Sequence, residues 1–105
     1  MISSSTTISD ADTHAYFVMD NASLTVTMPH CGGATPANGK KLVFIAISGV
    51  NTPTFTRASG SSDTFFDIAF AASDGASYSG GGNGLGFSYG FVCANGVWYS
   101  ANDIY

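Results

Sequence analysis

The chain has 105 residues, three basic side chains (Lys40, Lys41, Arg57) against seven aspartates, and a formal net charge of −4. A clustered basic patch, which phosphate backbones require, is missing, so a nucleic acid partner is not expected. No run of about 18 apolar residues is present to span a membrane as a helix. Glu and Gln are absent and Leu occurs three times, which removes the residues that lose least entropy in helices. Ser, Thr and Gly make up over a third of the chain, and Val, Ile, Phe and Tyr supply most of its apolar content. That mix favours strands and turns. An all-β fold follows, as a compact antiparallel sandwich or a roll or barrel of about seven short strands.

In chain order, residues 1–13 (MISSSTTISDADT) carry neither the basic start nor the apolar run of a secretory signal. They are expected to form a flexible polar arm ahead of one β domain over 14–105. The chain reads as a whole small protein made in a cytoplasm. His14–Asp20 is the first strand candidate, and in "SLTVTMP" the residues Leu24, Val26 and Met28 alternate with Thr25 and Thr27 until Pro29 stops the ladder. His30–Lys40 is a turn-rich connection. "KLVFIAIS" is apolar on both faces, the pattern of a central strand covered on two sides. Val50–Pro53 turns the chain into a short strand at Thr54–Ala58, and Phe65–Phe70 follows after "SGSSD". Ala71–Gly86 ("AASDGASYSGGGNGLG") has the composition of a surface loop. Phe87, Tyr89, Phe91 and Cys93 then share one strand face. Asn95-Gly96 marks a two-residue hairpin, since both central positions of a type I′ turn need positive φ. "VWYS" is the return strand.

Few residues are arranged for chemistry. Cys31 and Cys93 are the only thiols. Pairing is uncommon in a protein made in a reducing cytoplasm, so Cys93 reads as a small core residue and Cys31 as a loop residue. With His14 and His30 they complete a Cys2His2 set, but without the short ligand spacings of structural zinc sites. Asp63 and Asp67 are candidates for glycoside hydrolysis only by proximity, and an Asp at a turn or strand end is more commonly an Asx turn. Asp10 and Asp12 lack the further spaced ligands of a calcium loop. "GGGNGLG" leads into a strand rather than the helix N-terminus that a phosphate-cradling loop requires. "NAS" at 21–23 matches a glycosylation acceptor by chance. No catalytic residue, cofactor or metal is expected. Trp98 and Tyr99 suit either cross-strand packing in the closing hairpin or stacking on a sugar ring, and packing is the stronger reading.

The order of these pieces resembles the short β domains of tailed-phage virions, found in head and tail fibres and in head-decoration proteins. Tyr16-Phe17-Val18, "LTVTMP", "ANGKKLVFIAI", "TPTFTR" and the terminal "FVCANGVWY" occur in that family's order, from about His14 to Tyr105. The sequence departs from it at "SGSSDTFFDIAF" and in the glycine run of 80–86. The resemblance implies a structural homotrimer in a virion assembled in the bacterial cytoplasm. A short chain without heptads or shaft repeats favours a capsid decoration (cement) protein bound to the major capsid protein, with Ile2, Ser3, Ser4, Ser5, Thr6, Thr7 and Ile8 as the capsid-contact arm. Phe44, Phe87, Tyr89, Phe91, Trp98 and Tyr99 are then core or subunit contacts. The alternative is a fibre or receptor-binding tip, with Trp98, Tyr99 and the Gly80–Gly86 loop facing a glycan.

Overall fold

The structure is a computed structural model and describes residues 2–20, 24–32, 39–46, 53–67, 72–79 and 88–100. Within them the chain is all-β, with no helix and ten strands. These are β1 (Thr6–Thr7), β2 (Tyr16–Met19), β3 (Thr25–Thr27), β4 (Lys41–Ala46), β5 (Thr54–Thr56), β6 (Thr64–Asp67), β7 (Ala72–Gly75), β8 (Ser77–Ser79), β9 (Ser88–Ala94) and β10 (Val97–Ser100). They form a four-stranded sheet in the order β1-β3-β5-β8 and a six-stranded sheet in the order β2-β4-β9-β10-β6-β7. Both sheets are open, so the barrel alternative is excluded.

The sheets are mixed rather than antiparallel. β1–β3, β3–β5, β2–β4 and β6–β10 pair in parallel, whereas β4–β9, β9–β10, β5–β8 and β6–β7 are antiparallel. The winding of the chain explains three of the four parallel pairs, all but β6–β10. From β1 to β5 successive strands fall alternately in the four- and six-stranded sheets. A strand that returns to its sheet after visiting the other one arrives in its original direction, so β1 meets β3, β2 meets β4, and β3 meets β5, in parallel.

The three strands beyond the expected seven have identifiable causes. β7 and β8 lie in the stretch expected to be a loop, and the alternation Ser77-Tyr78-Ser79 places a buried Tyr78 between two exposed serines. β1 comes from the supposed arm, which is part of the fold. The Ile2 N–H donates to the Val18 carbonyl (2.6 Å), and Thr6 and Thr7 run alongside Val26 and Thr27. The segment thus crosses from the edge of one sheet to the edge of the other. Ile2 and Ile8 are both buried, while Thr6 and Thr7 are exposed. Burying two isoleucines outweighs the polar composition between them.

Between the sheets lies an aromatic core. Phe55 of β5 projects from the small sheet onto Phe44 (centroids 4.9 Å apart), Phe91 (4.8 Å) and Tyr89 (5.6 Å) of the large one. Leu24, Val26 and Met28 are buried as their alternation predicts. Leu42, Val43 and Phe44 are all buried in β4, which lies between β2 and β9, in keeping with cover on both faces. Asn95 and Gly96 have φ of 50° and 80°, the type I′ signature. Substituting Val for Gly96 should cost about 1 kcal/mol or more in urea denaturation, because a β-branched residue resists positive φ.

Candidate functional site

The aromatic residues singled out in the sequence separate into two environments. Phe44, Tyr89, Phe91 and Trp98 belong to the buried core. Phe87, the Gly80–Gly86 loop and the "NAS" triplet lie outside the described residues. Tyr99 is half-buried on the opposite face of the large sheet, against Phe66 at 5.7 Å. Trp98 is fully buried, and its indole N–H has no hydrogen-bond partner among the described residues, so it acts through packing alone. A sugar cannot stack on a ring that solvent does not reach. The glycan alternative therefore loses its tryptophan.

The cysteines correct the sequence reading. Cys31 and Cys93 form a disulfide with Cα atoms 5.6 Å apart, so Cys93 is not an incidental core residue nor Cys31 an unattached loop residue. Both are fully buried. The bond sits in a tight junction of three segments. Asp63, itself buried, accepts hydrogen bonds from the backbone N–H groups of Cys31 (2.7 Å) and Gly32 (3.0 Å). The Thr64 N–H donates to the Gly96 carbonyl at 3.0 Å. Gly32 faces Gly96 so closely that a Cβ there would stand 3.0 Å from the Gly96 Cα. A carboxylate accepting two backbone N–H bonds is satisfied without a counter-charge beside it. Asp63 thus organises the junction. The sulfurs, bonded to each other, are unavailable as zinc thiolates.

Closing 62 residues of sequence separation restricts the unfolded chain strongly. The Cys31→Ser/Cys93→Ser double variant should lose about 2–4 kcal/mol in urea denaturation, and the native protein should show no free thiol to a thiol reagent even when unfolded without reductant.

The histidines are placed by aspartates. Asp10 and Asp12, on the turn after β1, each hold one imidazole. Asp12 Oδ1 accepts from the His14 backbone N–H (2.9 Å) and meets His14 Nδ1 at 2.7 Å. Asp10 accepts from the His30 backbone N–H (2.8 Å), with its Oδ2 3.0 Å from His30 Nδ1. The Lys40 ammonium donates to the Asp12 carbonyl at 2.7 Å. The Asp12–His14 half is the local Asx turn that its two-residue spacing allows. The Asp10–His30 half joins residues twenty apart and has no signal in the sequence. Two clefts flank β1, one of about 290 Å³ carrying Asp12 and His14, the other of about 360 Å³ carrying Asp10 and His30.

Hydrogen bonds from the histidine backbones, reinforced by the imidazole contacts, hold both carboxyls below their ordinary value of 3.8. A carboxyl whose pKa is lowered by folding stabilises the native state fully above its unfolded pKa, and that contribution is lost as pH falls through the folded value. The melting temperature should therefore drop as pH is lowered from about 4 towards 2, by a small amount because both groups are exposed. The Asp10→Asn/Asp12→Asn double variant should show a flatter profile over that window in calorimetry. Comparison with family models, curated proteins and solved structures returned no match to this chain.

Proposed function

We propose that the chain is a non-enzymatic structural module of a tailed-phage virion, a capsid decoration protein that acts as a homotrimer on the head surface against the major capsid protein. The supporting observation is the outer face of the six-stranded sheet. Because Leu42, Phe44, Phe91, Trp98 and Phe65 point into the core, pleat alternation turns their neighbours outward. Val18, Ile45, Phe66, Val92, Val97 and Tyr99 are half-buried on that face. Register brings them together across the strands, with Val18 beside Ile45 and Tyr99 beside both Val92 and Phe66. Val43, Ser88 and Gly90 at the centre are already buried within the chain, so the partly accessible residues form a rim around them. Lys41 is the one basic group on this part of the sheet, and it is exposed.

An apolar sheet face of this extent favours contact with other protein over exposure to water. Together with the ordered sequence resemblance, it supports subunit association as the chain's work. A fibre or receptor-binding tip is the second reading, since such modules assemble through the same kind of face.

Light scattering of the purified protein should give three times the chain mass, and the protein should co-sediment with emptied phage heads. Val92→Asp places a charge in the rim. It should yield a folded monomer, as judged by an unchanged far-ultraviolet circular dichroism spectrum, with lost head binding. A wild-type monomer that ignores heads would refute the reading. A trimer that ignores heads but attaches to host cells would transfer it to the receptor-binding module.

A further inference from the structure

The cleft between β1 and β2 has a composition that the assembly reading does not use. It lies between β1 and β2, the terminal strands of the two sheets, where Ile2 bridges to the end of β2. Its walls include Thr6 and Thr7 from β1, the Asp12–His14 pair, and Tyr16 and Phe17 from β2. Tyr16 is the one large hydrophobic residue among the described residues that is exposed, at 63%. Phe17 is half-buried, stacked on Phe44 at 5.2 Å, and thereby fixes the strand that carries Tyr16.

The chemistry of the lining narrows the class of ligand. No lysine or arginine lines the cleft, and its one charged group that is always ionised near neutral pH is a carboxylate, so an anion is disfavoured. A hard divalent cation takes six to eight oxygens, and a single carboxylate with one imidazole falls far short. A purely apolar ligand would cover the two threonine hydroxyls and the outer atoms of the Asp12–His14 pair without bonding to them. What remains is a neutral molecule with an apolar face and several hydroxyls. Both bonds to His14 use Oδ1 of Asp12, leaving Oδ2 as an acceptor. With His14 Nδ1 directed at Asp12, Nε2 is the ring nitrogen left for a ligand. The tyrosine ring offers an apolar surface to the C–H face of a sugar, with a phenol at its tip. A cleft of about 290 Å³ has room for a single ring.

The geometry points to a monosaccharide-binding site in this cleft, with Tyr16 as the stacking platform and Asp12, His14, Thr6 and Thr7 as the hydroxyl-reading groups. Tyr16 alternates with the inward-facing Phe17 and lies beside Val43, so the site adjoins the edge of the proposed assembly face, and its test reads sugar binding rather than oligomeric state. It also differs from the tryptophan-based glycan site read from the sequence.

The test is a titration of the isotope-labelled protein, followed by amide chemical shifts, with the methyl glycosides of glucose, galactose, mannose and N-acetylglucosamine. At least one probe should give saturable shifts centred on residues 6–7 and 12–17, with a dissociation constant on the order of millimolar. Tyr16→Ala and Asp12→Asn should each weaken that binding about tenfold or more, a loss of ~1.4 kcal/mol, while shifts elsewhere stay in place. Tyr16→Trp should retain it, because a larger ring still stacks. No saturable response to any of the four sugars would overturn the inference. So would shifts centred on another surface, or binding that survives Tyr16→Ala unchanged.

Discussion

One side chain couples the two sheets more than any other. Phe55 sits in a strand of three residues, in a sheet whose members are two or three residues long. Such strands have few ladder bonds, and a sheet built from them is marginal alone. It is held by what Phe55 touches, namely Phe44, Tyr89 and Phe91 across the interface and Tyr78 in its own sheet. Tyr78 in turn meets Phe91 edge-on at 5.5 Å. The small sheet therefore exists because one ring from its middle is seated among aromatic rings of the large one.

At one end of the sandwich, order comes from polar and covalent bonds instead. The Cys31–Cys93 bond, the Asp63 carboxylate and the Gly32–Gly96 approach bring together segments separated by about thirty residues each. Each component favours the others. The disulfide fixes the backbone of residue 31, whose N–H faces Asp63, and Asp63 fixes the start of β6 beside the β9–β10 turn. A side chain at Gly32 would push these segments apart, so the absence of a Cβ is a geometric requirement there.

Much of this was legible in the residues, and the omissions have physical reasons. Alternation in Leu24–Met28 and in Tyr89–Cys93 reports which side chains point inward, and the structure buries all of them. Alternation does not report which sheet a strand joins. The alternate winding that makes three of the four parallel pairings was therefore invisible. The Asn95-Gly96 turn was legible because its backbone conformation demands particular residues. The disulfide was not, since a separation of 62 residues carries no distance information and the cytoplasmic prior argued against it. Ile2 and Ile8 were discounted because hydroxyl residues surround them, although two buried side chains suffice to anchor so short a segment. The Asp12–His14 contact was within reach of local spacing. The Tyr16 cleft was not, because it is made by two strand edges from different sheets.

The covalent tie has a consequence for how the molecule survives damage. Cys31 lies in the first third of the chain and Cys93 near its end, so they enclose most of the connections between strands. A protease that cuts one peptide bond anywhere between them produces two fragments that are still one molecule. Each keeps its place in the sandwich through β-pairings on both sides of the cut, and neither can diffuse away. The nicked chain would migrate as intact until its disulfide was reduced. In a setting rich in proteases, this architecture tolerates a broken backbone without losing a piece of the protein.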